Sequence, residues 1–141
     1  MPSEAIAILG TLSGALLVGL INYFSNRSVK NQEWRLALAR DQVAGRQKLY
    51  AEFLVEAQRL VVLAREDKIS SLTDLNALNG KYAEVCLVAP RIVVEEAKKL
   101  AEYAVTSHAV ETAKEVADFF ALKERFIAVA REDMTKVLSE A

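Results

Sequence analysis

The sequence predicts an all-α protein: a single N-terminal transmembrane helix that continues into a stalk and a small antiparallel helical bundle. Three observations carry this. Helix-forming Ala, Leu, Val, Glu, Lys and Arg dominate 141 residues that hold only five Gly and two Pro. The stretch from Ala5 to Phe24 contains no charged side chain. Beyond it, apolar residues recur at spacings of three and four. The domains expected are residues 1–24 as the span, 25–48 as a basic juxtamembrane stalk, and 49–141 as a cytosolic bundle.

At about 1.5 Å per residue, a helix over the uncharged stretch matches the roughly 30 Å hydrocarbon core of a bilayer. Its ten Leu, Ile, Val and Phe residues favour insertion by about 4–5 kcal/mol in sum. Three glycines, Thr11, Ser13 and Asn22 oppose this. A cleaved signal peptide would need basic residues before the run, and "MPSE" has none. A buried soluble helix would show a regular wet face, and residues 5–21 offer only Thr11 and Ser13. Gly10 and Gly14 share one helix face and are the candidate packing site in the membrane. Glycine is also common in membrane helices, so ordinary unpaired residues are the alternative.

Charge divides the chain into three parts: −1 over residues 1–24, +4 over 25–48 and −4 over 49–141. Arg27, Lys30 and Arg35 are the candidate contacts with the membrane surface. Because the basic residues follow the span, the N-terminus is expected outside and the C-terminal domain in the cytoplasm, across the inner (plasma) membrane. The overall net charge of −1 gives no general field toward nucleic acid, and none is expected as a partner.

Leu36, Ala39, Val43, Tyr50, Phe53, Ala57 and Leu60 continue the helical spacing, interrupted at Arg46. Trp34 reads as a headgroup-level anchor or a packing residue. From Leu49 the apolar face widens, as in a helix set against a globular core. "EDKISS" breaks the pattern, and Ser70 or Ser71 can cap the next helix, with Asp74 in its first turn. Leu72, Leu75, Leu78, Tyr82, Val85 and Ala89 form its inward face. Asn79–Gly80 is a turn signal within it, yet a helix is expected to run through. Pro90 starts another helix over "RIVVEEAKKLAEYAV". "TSH" at 106–108 is the next break, and a last helix is expected from about Ala109 to Ser139.

That last helix has two apolar faces. Ala113, Val116, Ala117, Phe120, Ile127, Met134 and Leu138 form one. Phe119, Leu122, Phe126 and Val129 form the other, which is the candidate interface with another chain. A central position within its own bundle explains the same pattern.

Chemistry is sparse. His108 is the single histidine, so neither a pair of Glu-x-x-His di-iron motifs nor a local zinc spacing exists. Cys86, between Val85 and Leu87, is expected to be a buried, inert thiol. No Gly-rich phosphate loop or nucleophile elbow occurs. No catalytic residue, metal or cofactor is expected, and the chain is read as a non-enzyme.

Through "RQKLYAEFLVEAQRL" and "LNALNGKYAEVCLVAPRIVVEEAKKL" the chain resembles a loose group of small bacterial proteins with one N-terminal span and a cytosolic helical bundle. That resemblance implies no site residues. The expected function is a membrane-anchored interaction module, a scaffold or accessory subunit of a membrane complex. Its expected partners are membrane lipid and a second copy or a membrane-complex protein. A membrane-active, pore-forming or phage- or toxin-like protein is the alternative. A sensor binding an apolar small molecule is a third reading.

Overall fold

A computed structural model describes residues 2–66, 72–107 and 113–141, with side chains over 14–66, 73–107 and 114–141. The described residues are all helix and connections. The helices are α1 (Pro2–Arg65), α2 (Leu72–Val88), α3 (Arg91–Thr106) and α4 (Ala113–Ser139). The chain divides into two compact units, one up to Leu38 and one from Ala39 to Glu140.

In the first unit every described side chain, from Gly14 to Leu38, is exposed. Among the described residues, no helix is long and apolar enough to cross a membrane. The described side chains enter the uncharged Ala5–Phe24 run only at Gly14.

The second unit is a helical bundle. The 39–65 part of α1 turns Ala39, Tyr50, Phe53, Ala57, Leu60 and Ala64 inward. From Tyr50 on they recur at three or four, and the half-buried Val43 and Arg46 carry the same stripe back to Ala39. Burial starts at Ala39, within the segment expected as stalk, because Ala39 and Val43 already lie on that stripe. In α2, Leu78 and Val85 are fully buried and Leu75 and Tyr82 pack against the core, as does Ala89 just past the helix end. The helix passes through Asn79–Gly80, both exposed. The inward residues on either side hold that turn in place against glycine's local cost of about 1 kcal/mol.

Pro90 cannot continue a helix, and it sets the α2–α3 corner. Its extended backbone (φ −67°, ψ 159°) makes it the N-cap of α3. Its carbonyl then accepts hydrogen bonds from Val93 N at 3.0 Å and Val94 N at 3.2 Å. At the other end of α3, Thr106 Oγ1 donates to the Glu102 carbonyl and Ser107 Oγ to that of Tyr103, each at 2.8 Å. Side-chain hydroxyls thus add hydrogen bonds to carbonyls at the end of the helix.

Neighbouring helices run antiparallel. Along α1 and α2, Glu52 pairs with Lys81 and Arg59 with Asp74. Along α1 and α4, Arg46 pairs with Asp133 and Gln58 with Lys123. α3 packs on both α2 and α4. The order is therefore up-down-up-down, as short connections favour.

α4 corrects the expectation for its two faces. Phe119 and Phe126 are buried in the core, and Leu122 and Val129 pack against it. The face offered to another chain is thus the one this bundle covers. Val116, Phe120 and Leu138, from the face expected inside, are exposed. The reason is geometric. The Phe126 ring fits between Tyr50 (centroids 5.9 Å apart, planes at 84°) and Phe53 (5.2 Å, 52°). Phe119 lies against Tyr103 at 5.5 Å. These aromatic contacts set the rotation of α4 about its axis.

Candidate functional site

Arg46, Tyr50 and Asp133 form the one polar cluster that reaches into the core of the described bundle. Arg46 and Tyr50 lie one turn apart on α1, and Asp133 follows Phe126 and Ala130 on the inward stripe of α4. Arg46 Nη1 donates to both Asp133 oxygens, at 2.5 and 2.6 Å. Tyr50 Oη donates to Oδ2 at 2.7 Å. The Asp133 side chain is only 6% exposed and that of Arg46 24%.

The cluster's electrostatics follow from this geometry. The hydrogen bond from Arg46 to Asp133 holds the guanidinium in its charged form and raises its pKa further. Burial, and then the hydrogen bond to Asp133, push the Tyr50 phenol well above its ordinary value. All three hydrogen bonds converge on the two Asp133 oxygens and so join α1 to α4. The cluster is an ion-pair clamp between α1 and α4.

Arg46 and Asp133 also line a groove of about 450 Å³, together with Val88, Pro90, Ile92, Val129, Glu132 and Lys136 among others. Elsewhere the ion pairs involve side chains more exposed than Asp133. Lys81 bridges Glu52 (2.7 Å) and Glu84 (3.3 Å), and the bond from Lys81 lowers the Glu52 pKa. Among the described residues, no group of three or more His, Cys, Asp or Glu is placed to hold a metal.

Gly14 is helical and exposed, and a Cβ built on it meets nothing within 4 Å. Gly10 is helical, but its surroundings lie outside the described side chains. Arg27, Lys30 and Arg35 are all exposed. Cys86 is exposed rather than buried, because the inward face of α2 passes through its neighbour Val85. Ser70, Ser71 and His108 lie outside the described residues.

The clamp is not among the residues expected from sequence: by period alone Arg46 is an interruption of an apolar stripe and Asp133 lies off both expected faces of α4. The available signal was that both stripes carry a single charge of opposite sign in their interiors. No family model, no curated protein and no solved structure matches this chain.

Proposed function

We propose that this protein is a membrane-anchored helical interaction module, a scaffold or accessory subunit that oligomerises or holds a partner at the membrane. One observation carries the reading. The described part of the uncharged run, Gly14–Phe24, is helical and exposed on every side, with Leu16, Leu17, Leu20, Ile21 and Phe24 uncovered. Such a surface costs about 25 cal/mol per Å² of apolar area in water and nothing comparable in lipid. The uncharged residues before it extend the run to about 20, long enough to span. The basic residues after it favour an external N-terminus and a cytoplasmic bundle. The bundle supports an interaction role, since its best-buried polar groups are consumed in holding α1 to α4.

Alkaline carbonate extraction of cell membranes tests the anchor, and protease added to intact and opened cells tests the orientation. The chain is expected in the carbonate-resistant pellet, with its bundle cleaved only after opening. Release into the supernatant would sink the anchor. A monomer in mild detergent that crosslinks to nothing in cells would sink the interaction role.

A further inference from the structure

Leu20, Phe24, Arg27, Asn31, Trp34 and Leu38 recur at alternating spacings of four and three, so they form one stripe along α1. All six are exposed, and Trp34 is 70% exposed. A shallow groove lined by Phe24, Arg27, Asn31, Trp34 and Arg35 follows this face. The face is apolar and aromatic, and it carries cations: Arg27 within it, Arg35 and Lys30 along its two edges. Of the acids along α1, Glu33 points roughly 140° away, and Asp41, one turn past Leu38, lies about 60° to one side.

The charges select among occupants. In a parallel pair of these helices, Lys30 of one copy would meet Arg35 of the other, a like-charge contact. A second copy is therefore disfavoured on this stripe. Aromatic side chains interleaved with arginines match an anionic lipid surface, where the rings settle at the headgroups and the cations meet phosphates. An upright helix would not bring them there. Trp34 lies ten residues past Phe24, or about 15 Å along the axis, beyond a headgroup layer of roughly 5–7 Å. A tilt of about 40°, the upper end for spanning helices, brings a ring on the lower face down to that layer.

We propose that the Leu20–Leu38 stripe of α1 leans on the bilayer and binds anionic lipid headgroups, with Trp34 seated among them. This rests on the membrane-anchor reading above.

Trp34 is the chain's single tryptophan, so its fluorescence reports this position alone. The full chain is reconstituted into vesicles of phosphatidylcholine, and of phosphatidylcholine with one third phosphatidylglycerol, each with and without brominated acyl chains. Flotation is measured on the same samples. The expected result is flotation with both, but a blue shift and bromine quenching of Trp34 only in the anionic vesicles. Arg27→Gln/Arg35→Gln is expected to lower the leaning equilibrium about 30-fold, at the usual strength of a juxtamembrane cation, without changing flotation. Flotation with both and a water-like Trp34 in both would overturn the proposal while leaving the anchor standing. Equal quenching in the two lipids would overturn it as well. A shift in neutral vesicles that grows with protein density would assign the stripe to a second copy. A shift with added polyglutamate alone would assign it to an acidic polypeptide. Either of these also overturns it. Failure to float with neutral vesicles would defeat the anchor reading; quenching in anionic vesicles would then still support the lipid face, and its absence would overturn it.

Discussion

At the scale of single residues, Asp133 carries the most concentrated interaction in the bundle. Replacing it with Ala leaves the largely buried Arg46 guanidinium without its counterion and the Tyr50 hydroxyl without its acceptor. Breaking a buried pair from one side costs about 3 kcal/mol, so Asp133→Ala is expected to lower the urea midpoint of the detergent-solubilised chain, followed by circular dichroism. Tyr50→Phe removes one bond to a charged acceptor and is expected to cost about 2 kcal/mol. It should also change the alkaline limb of stability. The fold opposes ionisation of Tyr50, whereas an unfolded tyrosine ionises near pH 10. Above that pH the unfolded chain binds fewer protons than the folded one, so this contribution is complete below about pH 10 and declines as pH rises past it. Urea midpoints from about pH 9 to pH 11 should therefore fall more steeply for the native chain than for Tyr50→Phe. Equal slopes would mean that Tyr50 ionises normally in the fold.

At the scale of elements, the two apolar faces of α4 make opposite predictions. Phe126 is fully buried against Tyr50 and Phe53, and Phe126→Ala is expected to cost about 3–5 kcal/mol. Phe120 is exposed, with Lys123 Nζ 5.7 Å above its ring, and Phe120→Ala should stay within about 0.5 kcal/mol. The reverse order would mean that α4 is rotated as its sequence first suggested. In α2, Gly80 is helical and exposed, with open space where a Cβ would stand. Gly80→Ala is expected to stabilise the bundle by about 1 kcal/mol, since it stiffens the unfolded chain and meets nothing in the folded one. Thermal melts of these three variants, read together, check the packing of two helices.

At the scale of the whole molecule, the question is whether the chain acts alone. Gly10 and Gly14 leave a notch in the proposed span, and filling it with Gly10→Leu/Gly14→Leu would separate helices packed there. Light scattering in mild detergent, with the detergent mass subtracted, is expected to show an oligomer for the native chain and a smaller species for the double variant. An oligomer that survives would move the interface to the exposed surface of the bundle, where Val116 and Phe120 are uncovered. A monomer in both would leave the glycines without a pairing role and would direct the search to a partner protein.

The sequence by itself determined the all-helical class, the corner at Pro90, and the inward stripes of α1 and α2. These are local matters: a helix's period is set by its own backbone, and each stripe is nearly uniform in apolar character. It also marked Ala5–Phe24 as an uncharged run, which is a property of composition. Only the tertiary structure decided which face of α4 turns inward. Both faces carry enough apolar residues to pack, and the choice depended on the fit of Phe126 between two rings from α1. The tertiary structure also decided that Arg46 and Asp133, 87 positions apart, are partners. Sequence period cannot distinguish a charge that ends an apolar stripe from one that meets its counterion across a core. That distinction exists only once two helices are brought side by side, because the attraction that repays the burial of each charge belongs to the pair.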